Sequence, residues 1–167
     1  ILANDLRIKR IKVMQEFIRN FKLTDIDLLV SDAANPGIGT DFDFIIADAP
    51  CTSSGTLRKN PDLKLKIDRP LAAKNAGIQS EILHSLIPFC KENGYILYSV
   101  CSFLQEETED VVAGIEELGN LEPVDLSDLL SEYGFRYSNG EWGFYLLPNR
   151  KLNNDIFYIS LLKKTAR

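Results

Sequence analysis

Phe42-Asp43-Phe44-Ile45-Ile46-Ala47-Asp48-Ala49-Pro50-Cys51 decides the reading of this chain. A short apolar run of this kind suits a strand buried on both faces. It stops on an acidic residue, a Pro and a Cys. Three other runs share the design: Ile1-Leu2-Ala3 before Asn4-Asp5, Ile26 to Val30 before Ser31-Asp32, and Tyr95 to Val100 before Cys101. Helical patterns lie between them. Ile8, Ile11, Met14, Ile18 and Phe21 recur at helix spacing, with Arg and Lys on the other face. Leu71 to Cys90 reads as a second helix that ends near Asn93-Gly94, with Pro88 kinking or shortening its last turns. Gln105 to Leu118 reads as a third. Strands alternating with helices predict an α/β fold with a mostly parallel sheet. The tail differs: Trp142 to Leu147 and Ile156 to Leu162 read as an antiparallel hairpin at a sheet edge.

The 167 residues suit one domain, residues 1–167, with a sizeable core. The 45% apolar and 26% charged fractions are those of a globular protein and exclude collagen-like, coiled-coil and disordered chains. No apolar run approaches the roughly 20 residues that span a bilayer. No secretory pattern opens the chain, which begins in apolar material without Met and reads as a fragment or a processed chain. Cys51, Cys90 and Cys101 form no CxxC pair, so a disulfide framework is not expected and a reducing cytoplasm is. The net charge of −5 hides an asymmetry: residues 58–74 carry six basic and two acidic side chains, residues 105–132 ten acidic ones and no Lys or Arg. The acidic run reads as a solvated face, whereas a basic stretch can meet phosphates locally even on an acidic protein.

In an open parallel sheet, ligands bind beyond the carboxyl ends of the strands. Asp5, Asp32, Asp48 and Cys101 all stand there. A single strand-end Asp is usually a cap or turn former; four polar groups at four strand ends favour one shared ligand. Asp5 is placed to accept hydrogen bonds from ribose hydroxyls, and Asp32 to reach an adenine or its ribose. The segment Ala33 to Thr40 has neither phosphate-binding glycine pattern and reads as a turn.

Two signatures are more specific. Asp48-Ala49-Pro50-Cys51 runs into Thr52-Ser53-Ser54-Gly55-Thr56-Leu57-Arg58-Lys59-Asn60-Pro61-Asp62, and Tyr98-Ser99-Val100-Cys101-Ser102 precedes Glu106-Glu107-Thr108-Glu109. In this order they resemble the Sun/Fmu-type RNA (cytosine-5-)-methyltransferase family, and the resemblance runs from Ile1 to the C-terminal hairpin, including Gln79 to Leu83. It implies a Rossmann-like methyltransferase fold that uses S-adenosylmethionine, held by Asp5, Asp32 and Asp48. The family's first strand and glycine-rich loop, which hold the methionine part of that cofactor, would precede Ile1. The family topology puts the missing strand between those ending at Asp5 and Asp48, so these two are not expected to pair directly; a gap, closure over it, or self-association with another chain would follow. The family usually has Gly where this chain has Ser53, and DGFF where it has Asp155-Ile156-Phe157-Tyr158.

Carbon 5 of cytosine is a poor nucleophile until a thiolate adds to carbon 6. The resemblance assigns that addition to Cys101, and to Cys51 the later loss of the carbon-5 proton and release of Cys101. Asp48 would hydrogen-bond the ring edge. A helix beginning near Leu104-Gln105 would favour a thiolate, with Glu106 and Glu107 expected to face outward. Arg58 and Lys59 are expected near the entrance for RNA, ribosomal or transfer. Cys90 reads as an inert core residue and His84 as structural. A zinc site from Cys51, His84, Cys90 and Cys101 lacks ligand spacing, so no metal is expected. The rivals are an amino-directed methyltransferase, which carries an aromatic residue in place of Cys51, and a non-catalytic RNA-binding relative or inactive fragment.

Overall fold

The structure is a computed structural model that describes residues 1–116 and 120–166. The chain divides into two compact units, Ile1–Gly39 and Thr40–Arg167.

In the first unit, β1 (Leu2–Asp5) and β2 (Asp27–Val30) pair in parallel, joined by α1 (Ile8–Asn20). Ile11 is the buried residue of α1. The register sets Asp5 beside Val30, so both strands end at the same level. There the Asn4 side-chain oxygen accepts from the Ser31 N–H and hydroxyl, at 3.1 and 2.9 Å.

The second unit opens with β3 (Phe42–Asp48) and β4 (Cys90–Val100), parallel and joined by α2 (Arg69–Leu86). The Asp68 carboxylate caps α2 by accepting from Leu71 N–H at 2.9 Å, and Pro70 sits in its first turn, where no N–H is needed. α3 (Glu109–Glu116), β5 (Leu121–Pro123), α4 (Ser127–Glu132), β6 (Arg136–Asn139), β7 (Phe144–Leu147) and β8 (Phe157–Lys164) follow. The sheet order is β3-β4-β8-β7-β6, with β5 also on β8. Tyr98, Tyr158, Ile96, Val100 and Leu162 of β4 and β8 pack with Leu83 of α2 and Val112 and Ile115 of α3 to form the core.

The structure bears out the four strand runs, the first helix and the β7–β8 hairpin, and refines the rest. α2 stops at Leu86, because Pro88 lies in a short 3-10 turn, Ile87–Phe89. Cys90 therefore opens a strand instead of closing a helix; it is buried among core residues, and that burial pushes its thiol pKa up. Asn93 at φ 62° lies in the segment where the β3–β4 register shifts between Phe42 and Phe44. The third helix begins later than its periodicity indicates. Gln105–Glu107 form a 3-10 turn and α3 starts at Glu109; residues 117 and 118 of that expected helix lie outside the described residues.

The hairpin is not at an edge. β8 pairs β4 on one side and β7 on the other, and β6 extends the sheet beyond it. Nor is β3 buried on both faces: Phe44 and Ile46 are exposed, and only one of its edges, that facing β4, is paired among the described residues. β1 and β3 belong to separate sheets, as the missing-strand topology requires.

Candidate active site

Cys51 and Cys101 follow neighbouring parallel strands, β3 and β4, whose register sets Asp48 opposite Ser99. The strands place the two thiols together: Cys51 Sγ and Cys101 Sγ are 3.2 Å apart, hydrogen-bonded, and both half-buried and free. Asp48 lies beside them, its Oδ1 3.4 Å from the Ser99 hydroxyl, and Ala49 N–H donates to Ser99 C=O at 3.1 Å.

The loop after Cys51 is folded back on the loop after Cys101. Ser53 adopts the left-handed conformation, φ 59° and ψ 26°, and starts the turn Ser54–Thr56. That backbone explains why the resembling family prefers Gly there, since a Cβ is disfavoured at such angles. Here the Ser53 side chain lies 3.4 Å from Cys101 Sγ. Gly55 N–H donates to Cys101 C=O at 2.9 Å and Gly55 C=O accepts from Ile156 N–H at 3.2 Å. A Cβ at position 55 would overlap the Ile156 carbonyl oxygen and press on Cys101 O at 3.0 Å. Gly55→Ala is therefore expected to lose about 1–3 kcal/mol of stability, the usual cost of overpacking. Urea unfolding reads it; an unchanged midpoint would mean that these segments part freely.

The two thiols share one negative charge unequally. Cys101 is lowered to about 6, first by the hydrogen bond from the Cys51 thiol and then, against the cost of burial, by the Ser53 hydroxyl. Cys51 is pushed far up, first by that same bond to Cys101 and then by burial and the Cys101 charge. The geometry supports this division, because the Cys51 thiol can donate to a Cys101 thiolate and the Ser53 hydroxyl lies 3.4 Å from the same sulfur. A helix N-terminus is not the cause: a 3-10 turn intervenes and α3 begins at Glu109. In alkylation by iodoacetamide, Cys101 is expected to react through a midpoint near 6. Its rate should be flat at neutral pH and fall below that midpoint, because only the thiolate reacts. Cys51 is expected to stay slow until alkaline pH, and Cys101→Ala should lower its midpoint toward that of an ordinary thiol. Equal midpoints for both cysteines would refute the unequal division.

Glu107 departs most from the sequence expectation. Its place in an acidic run points outward, yet it is fully buried. Its Oε1 accepts from Thr52 N–H at 2.8 Å and Asn75 Nδ2 at 3.1 Å, and its Oε2 from the Thr52 and Ser102 hydroxyls at 2.6 Å each. Gln79 Nε2 donates to Pro50 C=O at 2.7 Å and reaches Oε1 at 3.5 Å. Tyr98 O–H holds the Glu107 carbonyl at 2.7 Å. One carboxylate thus grips the neighbour of each cysteine, Thr52 and Ser102, and ties both to α2. A signal for it exists in the sequence. Counting back in fours from Ile115 and Val111 reaches Glu107, on the apolar side of the helix pattern. Thr52, Ser53, Asn75 and Ser102 carry no such mark.

Arg58 and Lys59 are brought together by a residue that the sequence does not mark as their partner. Asp155, buried, pairs with Lys59 Nζ at 2.8 Å and Arg58 Nη2 at 3.4 Å. Lys59, then Arg58, hold its carboxyl below the usual range. Both cations remain about half exposed, at 54% and 52% of their side chains, so they reach solvent while committed to that pair.

Asp5 and Asp32 belong to the first unit. Asp5 accepts from Arg7 N–H at 2.7 Å and pairs with Arg10 at 3.3 Å; Asp32 accepts from Ala34 N–H at 2.9 Å. Both perform the cap or turn role, and both stand where β1 and β2 end. Among the described residues no helix is long and apolar enough to cross a membrane, and no group of three His, Cys, Asp or Glu could hold a metal ion.

Known proteins carry the same organisation. A ribosomal RNA small subunit methyltransferase B of Pseudomonas putida is 30% identical over 169 residues, 99% of this chain and 37% of that protein. The crystal structure of PH0851 superposes with a TM-score of 0.85 at 29% identity, over 98% of this chain and 37% of that one. The crystal structure of NSun6 from Pyrococcus horikoshii with SFG gives 0.84 at 26% identity, over 100% of this chain and 42% of that one. The chain thus spans well under half the length of these relatives. The fold is the Rossmann-like one of S-adenosylmethionine-dependent methyltransferases. Residues 1–163 match the family described as 16S rRNA methyltransferase RsmB/F, and the chain belongs to that family.

Proposed function

We propose that residues 1–167 are part of the catalytic domain of an RNA methyltransferase that transfers a methyl group to carbon 5 of cytosine through a covalent Cys101 adduct. The observation that supports this best is the pair of free thiols 3.2 Å apart at two neighbouring strand ends. The name of the Pseudomonas putida relative favours small-subunit ribosomal RNA as the substrate.

S-adenosylmethionine, when bound, supplies an electrophilic methyl group. Within the first unit the acceptors at the ends of β1 and β2 suit a nucleoside: Asp5 and Asp32 would hold its ribose and adenine. The chain's own residues then act in order. Cys101 Sγ forms a bond to carbon 6, and the displaced electron pair makes carbon 5 nucleophilic. Asp48 faces the ring edge and favours a proton on the ring nitrogen as the adduct forms. Carbon 5 would then form a bond to the methyl group, the donor sulfur keeping the electron pair of the broken bond as a neutral thioether. The adduct also changes Cys51. Its thiol is held protonated chiefly by the Cys101 thiolate. Once Cys101 is bonded to carbon 6 that charge is gone, so Cys51 releases its proton to water when a base is needed. Cys51 then removes the carbon-5 proton, the ring double bond re-forms as Cys101 leaves as a thiolate, and the ring-nitrogen proton returns by way of Asp48 to water. The base must leave its stack to reach these groups.

The complete polypeptide, incubated with RNA and a labelled methyl donor and digested to nucleosides, is expected to yield 5-methylcytidine. Label on an amino nitrogen, or on a base other than cytosine, would overturn the reading.

A further inference from the structure

Away from the thiols, Arg58, Arg136 and Arg150 line one cleft of about 530 Å³ together with Pro148, Asn149 and Asn154. They come from four places in the second unit: the loop after Cys51, strand β6, the turn after β7, and the approach to β8. Among the described residues no carboxylate lines the cleft. Arg58 shares Asp155 with Lys59, while Arg136 and Arg150 have no ion-pair partner among the described residues. The two asparagines are occupied in holding the rim. Asn149 Nδ2 donates to Gly134 C=O at 2.8 Å, and Asn154 Nδ2 donates to Leu147 C=O at 3.0 Å and Asp155 C=O at 2.9 Å. Asn154 Oδ1 accepts from Asn149 N–H at 3.1 Å. A braced rim carrying guanidinium donors takes an anion with several acceptor oxygens.

We infer that this cleft is a docking site for backbone phosphates of the RNA strand that carries the target base. The inference rests on the RNA reading above. Its volume accommodates a nucleotide-sized group as well as a single phosphate. Its position gives it a purpose. The segment from Cys51 to Arg58 runs from the thiols to the cleft wall, and Gly55 within it is bonded to both Cys101 and Ile156. A phosphate held there fixes the strand while its base is turned out, a task that phosphate binding serves without reading sequence.

The test is fluorescence anisotropy of a labelled single-stranded RNA on the complete polypeptide, titrated over a series of KCl concentrations. Arg58 is left intact, because its removal would expose Asp155. The double variant Arg136→Ala/Arg150→Ala is expected to lower the slope of log affinity against log salt by about 1.4, roughly 0.7 for each single-strand phosphate that is no longer neutralised. Arg136→Lys/Arg150→Lys keeps the charge and is expected to keep most of the slope, which separates charge from any change in folding. RNA with methylphosphonate linkages is expected to bind wild type and the alanine variant alike. An unchanged slope in the alanine variant, with wild type still binding, would overturn the cleft assignment and leave the RNA reading standing. So would an arginine effect that persists on the neutral backbone. Wild type that binds no RNA would overturn both.

Discussion

Cys101→Ala is expected to abolish methyl transfer and the covalent RNA adduct together, whereas Cys51→Ala is expected to let the adduct accumulate. Both variants remove one small half-buried thiol, and the sulfurs lie only 3.2 Å apart, so packing loss alone would make them alike. They differ because the bond between them holds the Cys101 thiol pKa down and pushes that of Cys51 up. Without Cys101, carbon 6 has no nucleophile, and the loss of turnover should reach background. Without Cys51, the Cys101 thiolate loses the donor that lowers it most, so its pKa should rise toward the ordinary thiol value. Bond formation at carbon 6 would slow at neutral pH yet still occur; resolution would slow far more. The adduct is read as a denaturant-resistant shifted band that requires RNA and the methyl donor. If Cys101→Ala forms it and Cys51→Ala does not, the roles are reversed. Full activity in both would make the cysteines core fillers.

Glu107→Ala is expected to be the most destabilising single change near the site. It strands Thr52 N–H and O–H in the interior, takes the half-buried Asn75 Nδ2 from its acceptor, and leaves the Ser102 hydroxyl with Ser54 Oγ alone. Each buried group left without a partner costs about 1–3 kcal/mol, and such losses share relaxation instead of adding fully. The total is expected at the exceptional end of single substitutions, about 4 kcal/mol or more. Glu107→Gln is expected to be much milder. With its amide nitrogen at the Oε2 position, the Thr52 and Ser102 hydroxyls can rotate to accept from it. Urea midpoints of the two variants measure the difference. Equal and small losses would show that the loops beside the cysteines are held by something other than this carboxylate.

The contrast between these residues explains what the sequence could and could not reveal. Asp48, Cys51 and Cys101 are legible because each ends a run whose periodicity fixes a strand, and strand ends of one parallel sheet face one edge. The core halves of β4 and β8 are legible for the same reason. Glu107 escapes because a Glu in a run of acidic residues reads as solvated until its tertiary donors, Thr52, Asn75 and Ser102, are known. Arg58 and Lys59 read as unpaired cations because Asp155 lies far along the chain and meets them only once β8 is in place. The strands β5 and β6, at three and four residues, are too short to show alternation, so the antiparallel side of the sheet reads smaller than it is. Cys90 reads as helical because the apolar run passes through Pro88 without interruption.

The place of β8 in the sheet sets the order in which this protein can be built. β8 is the last strand in the described sequence, yet it lies between β4 and β7 and also carries β5. Every antiparallel pairing except β6–β7 runs through it. As the chain emerges from a ribosome, Cys51 and Cys101 are exposed long before Phe157–Lys164 arrives. Until then β4 has one bare edge, Tyr98 lacks the ring of Tyr158, and Asp155 has not yet met Lys59. Pairings so distant in sequence close late and slowly. Both thiols are therefore made before the sheet beside them can close, and the arrival of Phe157–Lys164, not translation of the two motifs, marks the moment at which the far edge of β4 is covered.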